Sequence, residues 1–319
     1  MQERHIGILE PDGFSGLARE QLATMGRVSD YDGGDLAAFL ADKQALFVRL
    51  KYMIDAPLLD SAKALRVLCS PTTGLTHVDL KELKRRGIVC LSLKGETEFL
   101  EGIRATPEHT IGLILALLRN YRTAFLDESN DHWDRDRCRG VELAGSSVGL
   151  IGFGRVGRRV ASFLDAFAAQ VRWYDPNVVD YRGKAERVGM IRELIAASQI
   201  VVLAASYEPG SPPILDRKLI AGLDGKYLIN IARGELVDEP ALIDAIESER
   251  LAGCAVDVTA DELAGVSRRR WLALTRFPNV IVTPHIAGAT YSSMRATEEF
   301  LARKLVDALS KANADIRSK

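Results

Sequence analysis

The stretch Val148-Gly-Leu-Ile-Gly-Phe-Gly-Arg-Val-Gly-Arg-Arg-Val160 constrains the fold of this chain more than any other. Its apolar start, Val148 to Ile151, reads as a strand buried on both faces, and three glycines at GxGxxG spacing then turn it into an amphipathic helix over 156–167. Gly152 permits the sharp turn, Gly154 lets a ligand pyrophosphate approach the backbone, and Gly157 lets helix and strand lie close. The helix N-terminus offers N–H groups and the positive end of its dipole to the phosphates. Arg155 and Val156, which open the helix, therefore join the candidate phosphate-binding set.

The glycines alone are weak evidence, because such turns also occur in loops that bind nothing. Their context strengthens them. A second strand, Gln170-Val-Arg-Trp-Tyr-Asp175, ends on an acid 18 residues past Gly157, where a carboxylate accepts hydrogen bonds from the adenosine ribose. Asp175 also suits a plain turn before Pro176, but strand, glycines, helix, strand and acid in this order favour the ribose reading. A carboxylate there repels a 2′-phosphate, so NAD is expected over NADP, with Arg155 and Arg172 as nearby cations that soften the preference.

A length of 319 residues accommodates about two domains of ~150 residues. Lys and Arg number 42 against 43 Asp and Glu, so charge gives no case for nucleic acid or a membrane surface as partner. The densest basic run, Arg268-Arg-Arg270, reads as a solvated surface turn. Cys69, Cys90, Cys138 and Cys254 are scattered without a CxxC pair, which points to reduced core thiols in a cytoplasmic protein, with no metal site or disulfide frame. No signal-peptide region precedes the first strand, and no apolar run approaches the ~20 residues of a membrane span.

Strands are expected at 5–10, 45–49, 65–69 and 88–92, with helices at 15–25 and 78–86. Ligands in such sheets collect beyond the carboxyl ends of the strands. Arg49, Lys51 and the amides of Thr73 and Gly74 are thus candidates for a small anionic substrate, although Arg49 and Lys51 fit exposed strand-end charges equally well. A polar stretch between Lys94 and Thr106 marks a crossing between domains. One long apolar helix is expected over 107–125, apolar enough to be covered partly by a second subunit. His109 on it reads as packed or capping, and 127–139 as an arm or loop. Further strands are expected at 147–152, 170–175, 200–204, 226–231, 253–258 and 279–283, then a closing helix over 291–309 and a polar tail over 311–319.

Several segments together resemble the D-isomer-specific 2-hydroxyacid dehydrogenases, in particular the short phosphoglycerate-dehydrogenase-like and glyoxylate-reductase-like members. They are Ser70-Pro-Thr-Thr-Gly-Leu-Thr-His-Val-Asp79, Glu108-His-Thr-Ile-Gly-Leu, the glycine motif, Asn230-Ile-Ala-Arg-Gly-Glu-Leu-Val-Asp238, Ala255-Val-Asp-Val258 and Pro278-Asn-Val-Ile-Val-Thr-Pro-His-Ile-Ala-Gly288. The resemblance implies an α/β fold of two domains, a Rossmann-type NAD-binding domain (98–289) inserted into a flavodoxin-like substrate domain (1–97 and 290–319), in a homodimer. It carries the family's catalytic arginine onto Arg233, its acid onto Glu262 and its histidine onto His285. Arg233 would fork onto an α-carboxylate and polarise the adjacent carbonyl, while His285 exchanges the C2 hydroxyl proton. Glu262 would fix the tautomer of His285 and favour its charged form. Thr106, Ala232, Asp257 and Gly288 would approach the nicotinamide half of the cofactor, and the Thr73 and Gly74 amides the substrate carboxylate.

Three positions depart from the family pattern. Leu263 follows the acid where proline is common, with Asp261 as the alternative acid; the loop 203–213 lacks the usual His-x-Pro; Pro107 replaces a common alanine. The leading expectation is an NAD-dependent oxidoreductase interconverting a small D-2-hydroxy acid and its 2-keto acid. The alternative is an NAD(H)-sensing interaction protein of the corepressor type, a branch of the same family, and formate or phosphite oxidation is a third reading. The particular acid is not legible, and no appended regulatory domain is expected.

Overall fold

Every strand of the N-terminal third is followed by a helix or loop that returns the chain to the same end of the sheet, which forces parallel pairing. The computed structural model describes residues 4–129, 133–263 and 265–317. Its first unit comprises Met1–Gly102 and Ala289–Lys319, its second Ile103–Gly288. The first contains β1 (Arg4–Ile8), α1 (Gly16–Ala23), β2 (Gly26–Asp30), α2 (Leu36–Leu40), β3 (Ala45–Phe47), α3 (Ala56–Ser61), β4 (Val67–Ser70), α4 (Leu80–Arg85), β5 (Val89–Ser92) and α5 (Thr97–Glu101). These strands form a parallel sheet in the order β2-β1-β3-β4-β5, the flavodoxin-like winding. Ile6, Ile8 and Phe47 pack with residues of the C-terminal helix, Leu301 and Leu305, while Leu46, Leu59 and Leu83 belong to a second cluster.

The second unit runs α6 (Ala105–Leu118), α7 (Tyr121–Ser129), β6 (Ser147–Ile151), α8 (Arg155–Ala166), β7 (Gln170–Tyr174), β8 (Glu186–Arg187), α9 (Ile191–Ala196), β9 (Ile200–Leu203), α10 (Arg217–Ile220), β10 (Tyr227–Asn230), α11 (Glu239–Glu247), β11 (Gly253–Val256), α12 (Val266–Leu274) and β12 (Val280–Val282). Its seven strands lie in the order β12-β11-β10-β9-β6-β7-β8, all parallel, the doubly wound arrangement in which β6 starts both halves. One core cluster joins α6 and α8 through Ile114, Leu117, Val160 and Leu164. The other joins Leu194, Ile220, Leu242 and Trp271 from α9 to α12. Each such fully buried side chain stabilises the unit by roughly 1.5–3 kcal/mol. α13 (Tyr291–Arg317) returns to the first unit.

The two parallel α/β sheets match the expected fold class, and the departures are local. β2 and the two-residue β8 were not foreseen, because short polar edge strands lack an apolar run. The single helix expected over 107–125 divides at Asn120, whose φ of 50° ends α6 and lets α7 start in a new direction. α6 buries eight side chains within the single chain, five of them in the core cluster it shares with α8, so its apolarity needs no second subunit. The arm expected at 127–139 begins as the end of α7; residues 130–132 of it lie outside the described residues, as do 318–319 of the tail. Arg268 to Arg270 are exposed, but on helix α12 and not in a turn.

Candidate active site

The turn after β10 is closed by its last residue. Asn230 accepts from the Ala232 amide and donates to the Arg233 carbonyl, each at 3.0 Å. Arg233 is thereby held extended, φ −150° and ψ 149°, with Nη1 donating to the Ala232 carbonyl at 2.6 Å. Gly234 follows for a steric reason: a Cβ there would overlap the backbone of Thr259 and Ala260, so the turns after β10 and β11 touch main chain to main chain. Burial draws the Arg233 guanidinium below its usual range, opposed by the charges of Glu262, Glu235 and Asp257. Burial likewise pushes Glu235 up, and Glu262 adds to the shift.

The residues after β11 and β12 form one network. Asp257, 1% exposed, accepts from Thr283 Oγ1 at 2.6 Å and from the amides of Ile286 and Ala287 at 2.9 Å. His109 of α6 reaches the same group, its Nε2 lying 3.2 Å from Thr283 Oγ1 and 3.4 Å from Asp257 Oδ1. Burial alone would raise the Asp257 carboxyl, but these hydrogen bonds outweigh it and hold it below the ordinary range. His285 has a left-handed φ of 54°, a conformation costing about 1–3 kcal/mol in a non-glycine residue. Its amide offsets this by donating to the carbonyls of Asp257 at 2.8 Å and Thr283 at 3.0 Å.

That geometry presents the imidazole to Glu262. His285 Nδ1 and Glu262 Oε2 are 2.7 Å apart, and Glu262 Oε1 accepts from the Thr259 amide at 3.1 Å. The adjacent Asp261 is exposed and makes no such contact. Nδ1 being engaged, Nε2 of His285 has no hydrogen-bond partner among the described residues. The arrangement can therefore exchange a proton at Nε2 while the carboxylate fixes the ring through the other nitrogen.

The glycine motif occupies the turn from β6 into α8. A Cβ on Gly152, where φ is 95°, would come within 2.5 Å of the Ala205 backbone, and one on Gly157 would overlap the Gly152 carbonyl. Gly154 differs: a Cβ there would meet nothing, and as N-cap of α8 it leaves the first turn without a side-chain cap. The space at the Gly154 Cα is thus open, just before Arg155 begins the helix. Arg155 Nη1 donates to the Ile103 carbonyl at 3.3 Å. Asp175 follows β7 and accepts from the Phe153 and Asn177 amides, each at 2.8 Å. Each carboxylate oxygen keeps a lone pair for a further donor. Thr106 lies in the first turn of α6, Ala232 beside Arg233, and Gly288 at the end of the second unit.

In the first unit the expected anion contacts separate. Arg49 is engaged internally, donating through Nε and Nη2 to the fully buried Glu298 and through Nη1 to the Asp12 carbonyl. It is not a free strand-end surface charge, because the buried Glu298 carboxylate draws the guanidinium inward. Lys51 remains exposed, its ammonium 5.8 Å from the Tyr52 ring centroid. The amides of Thr73 and Gly74, just past β4, donate to no group among the described residues.

Sequence reasoning passed over Asn230, Gly234 and Thr283 and read His109 as packing. A polar side chain at a strand end was the available signal for Asn230; for the others contact alone reveals the role.

Comparison with known proteins bears on this arrangement. The sequence model of the family described as D-isomer specific 2-hydroxyacid dehydrogenase, NAD binding domain, matches residues 111–287. The glyoxylate reductase of Thermofilum pendens is 32% identical over 86% of this chain and 81% of its own length. The D-3-phosphoglycerate dehydrogenase of Archaeoglobus fulgidus is 29% identical over 94% of this chain, which spans 53% of that longer relative. The crystal structure of D-lactate dehydrogenase from Aquifex aeolicus, complexed with NAD and lactic acid, superposes with a TM-score of 0.81 at 26% identity, covering 98% of this chain and 97% of that one. With a family match over more than half its length, the chain belongs to the D-isomer specific 2-hydroxyacid dehydrogenases and carries their NAD binding domain.

Proposed function

We propose that the protein is an NAD-dependent oxidoreductase that transfers a hydride between nicotinamide and C2 of a small D-2-hydroxy acid or the matching 2-keto acid. The observation that carries this reading is the 2.7 Å contact of His285 with Glu262, in the same unit as the glycine turn and Arg233. The open space at Gly154 fits a pyrophosphate. Gly152, Gly154, Arg155, Val156 and Gly157 would hold the phosphates and Asp175 the adenosine ribose; Thr106, Ala232, Asp257 and Gly288 would face the nicotinamide half. The bound cofactor supplies the hydride chemistry.

The protein's own groups do the rest. Arg233, with its charge partly desolvated, binds the α-carboxylate bidentately and polarises the neighbouring carbonyl. His285 Nε2 gives a proton to the C2 oxygen in reduction and takes it back in oxidation, with Glu262 holding the ring. The amides of Thr73 and Gly74 and the ammonium of Lys51 are further donors for the acid. The Asp175 carboxylate supports NAD over NADP. Free cysteines support a reducing, cytoplasmic setting, and the exposed apolar face of α7 (Tyr121, Phe125, Leu126) supports a homodimer.

The test is NADH oxidation with glyoxylate, hydroxypyruvate, pyruvate and other 2-keto acids. Turnover of at least one acid, lost in His285→Ala, is the expected result; no turnover, or turnover indifferent to that change, overturns the assignment.

A further inference from the structure

Glu239, the first residue of α11, is a carboxylate with only 9% of its surface exposed, and no cation pairs with it in the described structure. Its oxygens are satisfied by neutral donors from a single neighbouring segment. Ser267 Oγ lies 2.6 and 2.5 Å from its two oxygens, Trp271 Nε1 donates at 3.0 Å, and the Ala260 amide points to it at 3.4 Å. Ser267 and Trp271 belong to α12, whereas Ala260 belongs to the turn after β11. The carboxylate also lies beside the first turn of α12, where the helix dipole favours a negative charge.

These anchor points lie on either side of Glu262 in the chain. Just after the first of them, Asp261 has a left-handed φ of 50°, a costly conformation in a non-glycine residue. Glu262 therefore follows a left-handed residue, with Ala260 before it and Ser267 after it both tied to one buried carboxylate. Across the same segment, the Gly234 backbone packs on Thr259 and Ala260, and α11 begins shortly after it. Glu239 thus connects the turn bearing Arg233 to the loop bearing Glu262.

We infer that Glu239 is a positioning residue: it holds the Ala260–Ser267 loop so that Glu262 meets His285 Nδ1, and it acts on the reaction only through that contact. The inference rests on the function proposed above for His285 and Glu262. Burying an uncompensated carboxylate is costly, and three neutral donors make it tolerable without a cation that would compete for Glu262. A displacement of Glu262 by an ångström is enough to lower turnover on the order of 10- to 100-fold.

The experiment compares wild type, Glu239→Ala, Glu239→Gln, Ser267→Ala, Glu262→Gln and the double variant Glu239→Ala/Glu262→Gln. The readouts are kcat and KM for the 2-keto acid, NADH affinity by fluorescence, and the imidazole nitrogen and proton resonances of His285. Glu239→Ala should lower kcat about 10- to 100-fold, change NADH affinity less than about twofold, and abolish the downfield Nδ1 proton signal of the His285–Glu262 hydrogen bond. Glu239→Gln should recover part of both, and the double variant should be no slower than Glu262→Gln alone, as for residues acting in one chain of contacts. Additive losses in the double variant, or an unchanged His285 resonance in Glu239→Ala, overturn the inference. If Glu239→Ala does not fold, Ser267→Ala, which removes one donor and keeps the carboxylate, carries the same expected signs. A wild type without turnover on any acid, with a His285 signal still lost in Glu239→Ala, overturns the proposed reaction and leaves the positioning role standing.

Discussion

His285 shows how much one residue can depend on others. Its left-handed backbone, held by the carbonyls of Asp257 and Thr283, decides which ring nitrogen meets Glu262 and which has no partner among the described residues. Glu262→Gln keeps a hydrogen-bond acceptor but removes the charge, so keto-acid reduction should fall about 100-fold or more while NADH affinity, read by fluorescence, stays constant. Asp257 carries a pH prediction. Its folded pKa is depressed, so its contribution to stability is complete above the free-side-chain value of 3.8 and is lost as pH falls through the lower folded value. Thermal unfolding of wild type and Asp257→Asn should therefore differ most above that value and converge in more acidic buffer. The arginine, acid and histidine came as candidates through the chain's resemblance to a family, whose motifs are short and ordered. His109 and Thr283 could not, since their partner Asp257 is 148 and 26 residues away in sequence respectively.

At the level of elements, glycines report where backbones touch. Gly157 presses on the Gly152 carbonyl and Gly234 on the loop after β11, contacts that cannot yield by rotating a side chain. Gly157→Ala should destabilise the second unit by about 1–3 kcal/mol and weaken NADH binding, measured by denaturant unfolding and fluorescence titration. Gly154→Ala, with open space at the Cβ, should weaken NADH binding and leave stability within about 0.5 kcal/mol. The distinction between these glycines was stated from spacing alone, because the turn from strand to helix gives each position a separate geometric duty. Element ends were less legible. Asn120 divides what reads as one apolar helix, since a left-handed residue leaves no trace in hydrophobic periodicity.

For the molecule as a whole, association is the property most open to test. α7 exposes Phe125 at 66% and Leu126 at 52%, a surface that water covers poorly in a monomer. Light scattering should give twice the mass of the 35.0 kDa chain, and Phe125→Glu together with Leu126→Glu should shift it to one; a monomeric wild type would remove the dimer proposal. The amino-acid sequence by itself determined the class of fold and the NAD-binding turn, while its resemblance to a family offered an arginine, a glutamate and a histidine as candidates. Such information is local, written in apolar runs, glycine spacing and short motifs that need no partner to be recognised. Only the tertiary structure decided that Arg49 turns inward to Glu298, that His109 joins Asp257, and that Glu239 braces the loop of Glu262. The reason is physical: a buried polar group must find a partner, and the partner it finds is set by how the elements pack, not by its neighbours along the chain.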